Sequence, residues 1–188
     1  VRRKRSAAVK KDFTFLFIVA MVIAFSFNLN SLTGKASAPG ETAAEREERG
    51  DVYRKKGNYE QALKHHLDAL RIEEKIGEQA RIAVLLNKIG NDYLRLNRCE
   101  DALAHFQRAL KIRRATGEKP GIAETLNNIG IVYYELSQYH RALKYFRETL
   151  QIKKTIGNKE SIALSLNNIG LIYDLTGDYG KAIENHLQ

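Results

Sequence analysis

The side chains best suited to chemistry are few, and their spacing works against it. His65 and His66 are adjacent, whereas a metal pair on a helix needs positions four apart. His105, His140 and His186 stand alone. The carboxylate pairs Glu47-Glu48 and Glu73-Glu74 are also adjacent, so on a helix they diverge, which does not suit paired acid–base work. Cys99 is the one cysteine; it cannot close an internal disulfide and reads as a small, semi-buried residue. Each glycine is isolated, so no loop cradles a phosphate. Neither catalysis, a metal nor a cofactor is expected. What the spacing does offer is hydrogen bonding. Asn87, Asn127 and Asn167 recur every forty residues, and an amide that both donates and accepts can hold a peptide backbone whatever its side chains.

The asparagines belong to a longer phrase. Residues 86–93 read LNKIGNDY, 126–133 read LNNIGIVY and 166–173 read LNNIGLIY. Residues 83–122 and 123–162 share 15 identities in 40 positions without a gap, so the chain is a repeat array. Units run at 83–122, 123–162 and 163–188, the last stopping inside its second helix. A worn copy at 43–82 keeps Gly50, Tyr53 and Ala62 but has Arg46 and Arg49 where later copies have Leu and Ile.

Each unit predicts two helices. The first gathers Leu86, Ile89, Gly90, Tyr93 and Leu96 on one face, at three- and four-residue spacing. The second turns Ala102, Leu103, Phe106, Ala109, Leu110 and Ile112 to the core. Asn97-Arg98, and likewise Gly57-Asn58, Ser137-Gln138 and Gly177-Asp178, read as the tight turn between them. Gly77, Gly117 and Gly157 read as C-caps of the second helices, and Pro120 falls near a helix start. His66 and His186 fall where other copies have Phe, which predicts core or rim packing. Runs such as Arg54-Lys55-Lys56 and Lys111-Ile112-Arg113-Arg114 read as solvated helix surface.

Stacked units leave a concave surface lined by the first helices. There the columns read Asn87, Asn91, Leu94 and Arg95, then Asn127, Ile131, Tyr134 and Glu135, then Asn167, Leu171, Asp174 and Leu175. Ile131, Tyr134 and Leu171 would form apolar pockets, with Arg95 and Glu135 biasing the choice by charge. The same asparagines could instead brace adjacent repeats; both readings stand.

The pattern resembles the tetratricopeptide repeat. Gly50, Gly90, Gly130 and Gly170 match its signature, as do Tyr53, Tyr93, Tyr133 and Tyr173, and Ala62, Ala102, Ala142 and Ala182. The period departs from it, at 40 rather than about 34. Glu74, Arg114 and Lys154 replace the family's helix-ending proline, so the second helix can run about a turn and a half further. This is similar to the long-repeat variety of kinesin light chains and bacterial signalling proteins. The resemblance, over residues 43–188, implies an all-α fold: a right-handed α-solenoid of antiparallel helix pairs. It also implies that the column of Asn87, Asn127 and Asn167 holds ligand.

Charge points away from nucleic acid. Of the net +9, residues 1–40 supply +6, with seven basic residues against Asp12, and residues 41–188 carry 24 basic and 21 acidic side chains. A nucleic-acid binder needs its basic stripe on the folded part. Residues 1–11 are basic, 13–27 run uncharged as FTFLFIVAMVIAFSF, and small residues surround Ala36 and Ala38. That is the layout of a signal peptide, cut near Ala36 or Ala38, or of a leader helix kept as a membrane anchor. Either places the array across the cytoplasmic membrane from its basic N-terminus, in the periplasm or outside the cell if bacterial. The function expected is a non-catalytic scaffold for a protein or peptide partner. The alternative is the sensory front of a membrane signalling protein, of histidine kinase or nucleotide cyclase type, with its effector beyond Gln188.

Overall fold

A computed structural model describes residues 41–187. The leader, and with it the choice between cleavage and anchoring, lies outside the described residues. Among these the chain forms eight α-helices and no strand: α1 (Ala43–Lys55), α2 (Tyr59–Ile76), α3 (Gln79–Arg95), α4 (Cys99–Thr116), α5 (Lys119–Glu135), α6 (Tyr139–Ile156), α7 (Lys159–Thr176) and α8 (Tyr179–Leu187). Each helix packs on the next, and the first helix α3 also touches the first helix α5. The result is an α-solenoid of antiparallel pairs.

Local chemistry sets the boundaries. Thr42 caps α1 in a reciprocal box with Glu45, and Asn58 and Asn158 cap α2 and α7 through their side-chain oxygens. Within each pair the turn passes through one left-handed residue: Gly57 (φ 76°), Asn97 (57°), Ser137 (56°) or Gly177 (79°). The carbonyl of the signature tyrosine then closes every turn. Tyr53, Tyr93, Tyr133 and Tyr173 accept from the backbone N–H five residues on, at 3.0, 2.9, 2.8 and 2.9 Å. Gly77, Gly117 and Gly157 end the second helices in the left-handed region, as expected, and α2, α4 and α6 each reach 18 residues.

The core lies between paired helices. Leu85, Leu86, Ile89, Phe106, Leu126, Ile129 and Val132 are fully buried. Burying one such side chain contributes about 1.5–3 kcal/mol. The Phe106 ring lies across Gly90, so closely that a Cβ there would stand 2.6–2.8 Å from three ring atoms. His66 occupies the same seat in the first pair and His186 in the last, the packing expected of both.

Replacing Gly90 and Gly170 by alanine separates close packing from helix propensity. Alanine favours a helix over glycine by about 1 kcal/mol. Overpacking against the sealed Phe106 ring costs about 1–3 kcal/mol. The His186 side chain is 37% exposed and can swing aside. Gly90→Ala is therefore expected to lower Tm and Gly170→Ala to leave it unchanged or raise it, as read by thermal circular dichroism.

Candidate functional site

The first helices carry hydrogen-bonding side chains on the edge that faces the next repeat. Asn128 Nδ2 donates to Asn87 Oδ1 at 3.3 Å, and Asn168 Nδ2 donates to Asn127 Oδ1 at 3.1 Å. In the first junction the same two columns hold an ion pair, with Lys88 Nζ 2.7 Å from Glu47 Oε1. One rung, forty-one residues long, thus recurs at all three junctions. Sequence comparison found the asparagine column but not its partner column, although the doubled Asn127-Asn128 and Asn167-Asn168 signalled it.

The asparagines share the column without sharing an environment. Asn87 is buried, also donating to Glu124 Oε1 at 3.0 Å and lying 3.4 Å from the Thr125 hydroxyl. Asn127 is half-buried, and Asn167 is exposed. Asn91, Ile131 and Tyr134 are half-buried, with Tyr134 tilted against Tyr139 at a 6.1 Å centroid distance. Arg95, Glu135, Leu171 and Asp174 are exposed, and His186 Nε2 lies 3.2 Å from Asp174. The surface left open by the braces runs over α5 and α7.

At the α1 end the face is neutralised from within. Asp51 receives Lys88 at 2.5 Å and also Arg54. Burial opposes its ionisation, but the hydrogen bonds from Lys88 and Arg54 outweigh that and hold the carboxyl below its ordinary value. Behind it, His66 Nδ1 donates to the fully buried Asp92 at 2.5 Å, while His66 Nε2 stands 3.3 Å from Asp51. The matching columns hold Phe106 with Val132 and Phe146 with Ile172. A polar pair therefore replaces an apolar one at both positions together.

The run at 111–114 is not uniformly solvated. Lys111 and Arg114 are exposed, but Arg113 is buried, donating to the Gly121 carbonyl and the Thr125 hydroxyl at 2.7 Å and to Glu124 Oε2 at 3.0 Å. The Gly121 carbonyl, the Thr125 hydroxyl and the Glu124 carboxylate, all in the first turns of α5, draw it inward. Lys153 repeats the contact on the Ser161 carbonyl, and burial pushes its ammonium below the ordinary lysine range. In the first junction the polarity is reversed, with Arg81 on the buried Glu73. Cys99 is buried, which raises its thiol pKa and suits packing rather than nucleophilic chemistry.

Two substitutions test these assignments. Asn87→Ala removes a buried brace and is expected to cost about 1–3 kcal/mol in denaturant unfolding, whereas Asn167→Ala stays within about 0.5 kcal/mol. His66→Phe strands the Asp92 carboxylate and is expected to cost about 3–5 kcal/mol, with His66→Phe/Asp92→Val recovering that loss or exceeding the parent. Equal losses in the single and double variants would refute the pairing.

The description that matches the chain is the tetratricopeptide repeat, over residues 41–115 and 121–188. None of the curated proteins compared matches at a significant level. Among solved structures, BtubC (BKLC) from P. vanneervenii is similar at TM-score 0.70 and 22% identity, covering 76% of this chain and 59% of that one. Aspartyl phosphate phosphatase F from Bacillus subtilis gives TM-score 0.71 and 24% identity over 77% and 38% of the two chains. The Rap conjugation gene regulator of plasmid pLS20, in complex with the Phr* peptide, gives TM-score 0.68 and 19% identity over 81% and 45%. The chain thus spans between 38% and 59% of the length of these proteins. With the family description matching most of its length and the solenoid in place, the chain belongs to the tetratricopeptide repeat family.

Proposed function

We propose that the array is a non-catalytic docking scaffold, holding an extended segment or a helix of a partner protein along the open face of α3, α5 and α7. One observation carries the reading. Leu164, Leu171 and Leu175 stand seven and four residues apart on one face of α7, with 61%, 40% and 48% of their surface exposed. Ile131, which holds on α5 the position Leu171 holds on α7, and Tyr134, three residues on, are half-buried. A row of exposed apolar side chains among polar neighbours is stabilised by removal from water, and such patches mark interaction sites. Asn127, Asn167 and Asn91 lie among them with amides that can meet a partner's backbone. The pLS20 regulator, solved with a peptide, supports the reading by showing a similar fold in a peptide complex.

In this reading the basic leader stays at the cytoplasmic side and the array works across the cytoplasmic membrane. Among the described residues no helix is long and apolar enough to span a bilayer, so the proposed export, with the leader either cut or kept as an anchor, rests on residues 1–40. No nucleic-acid partner is proposed, because the basic excess lies mainly in that leader.

Capture with the chain as bait, beside a Leu171→Ser/Leu175→Ser variant, tests the scaffold. A partner retained by the parent and lost by the variant, with equal helix content and melting in both, is the expected outcome. Identical sets of captured proteins would overturn it.

A further inference from the structure

The open face of α5 and α7 has a sign. Lys119, Lys159 and Glu160 stand in the opening turns of these helices; beyond them the charged side chains are Glu124, Glu135 and Asp174, all exposed. Glu124 is held by Arg113 and Asn87, and Asp174 faces His186. Glu135 has no ion-pair partner among the described residues. The basic side chains of the third unit stand on its second helix instead: α6 carries Arg141, Lys144, Arg147, Lys153 and Lys154 against Glu148.

The helix ends point the same way. Free carbonyls give a helix C-terminus a partial negative charge, which a cation in the last turn offsets. Arg54 and Lys55 do so on α1, and Arg95 on α3. The last turns of α5 and α7 contain no basic residue, and Glu135 adds its carboxylate to the first of them. Arg141, at the start of α6, is engaged elsewhere, donating to Gln138 Oε1 at 2.8 Å and lying over the Tyr133 ring at 5.6 Å. Lys181, at the start of α8, is likewise engaged, 2.5 Å from Asp178 and over the Tyr173 ring at 5.4 Å. An apolar row therefore runs into an edge whose negative potential has no uncommitted cation among the described residues.

We infer that the partner segment is apolar and cationic. Two or more aliphatic or aromatic side chains lie along Ile131, Leu171 and Leu175, and a Lys or Arg beside them sits at the carbonyl ends of α5 and α7, next to Glu135 and Asp174. This rests on the docking role proposed for the same face. The field that attracts such a segment repels an acidic one of equal apolarity, so charge supplies the choice between them.

Two short end-blocked peptides test it, one alternating Leu with Lys and the other Leu with Glu, titrated against the full chain in one uncharged detergent. The Lys peptide is expected to bind about tenfold more tightly at low salt, a preference that shrinks at about 0.5 M salt. Glu135→Lys/Asp174→Lys is expected to abolish or reverse the preference without moving Tm, and Leu171→Ser to weaken both peptides. Equal binding of both, lost in Leu171→Ser, would overturn the cationic choice while leaving the docking face intact. Binding of neither, or a preference untouched by Glu135→Lys/Asp174→Lys, would overturn the inference as well.

Discussion

A ring seated on a glycine sets the spacing of every helix pair. His66, Phe106, Phe146 and His186 project from the second helices into the places that side chains at Gly50, Gly90, Gly130 and Gly170 would occupy. With no Cβ in the way, the backbones approach closely and the ring fills the gap, so one contact fixes both separation and register. The short left-handed turns place each second helix for that contact. Repeating it every forty residues brings side chains of two adjacent columns on successive first helices within hydrogen-bonding reach.

Those braces are individually modest. A net hydrogen bond contributes about 0.5–1.5 kcal/mol, against about 1.5–3 kcal/mol for one buried core side chain. Their effect lies in geometry and in surface character. Asn128 on Asn87 and Asn168 on Asn127 hold neighbouring first helices side by side. The ion pair of Lys88 with Glu47 does the same where the sequence is most charged. Polar groups consumed in this way leave the remaining face to be defined by what is not paired.

That face changes along the array. At α1 its charges neutralise one another through Glu47, Lys88, Asp51 and Arg54. At α7 it presents Leu164, Leu171 and Leu175 around an exposed Asn167. A partner gains most by covering the second end, where apolar surface is removed from water and few internal ion pairs must be broken.

The sequence alone determined the architecture. Period, helix pairing, turns, glycine caps and the tyrosine and alanine columns are all local or strictly periodic, and each stands where its residue type predicts. Tertiary structure decided which columns meet. Arg113 reads as surface in the run 111–114 but is buried, because the carbonyl of Gly121 and the hydroxyl of Thr125 approach it from the next helix. His66 and Asp92, twenty-six residues apart, each look like an odd substitution and make sense only as a buried pair. Asn87 and Asn167 hold the same place in the repeat, yet Asn87 is sealed by Glu124 and Asn128 of the next unit, whereas Asn167, with no following unit among the described residues, is open. Periodicity shows that positions are equivalent; which neighbours cover them depends on packing across a repeat boundary, and that is a property of the folded chain.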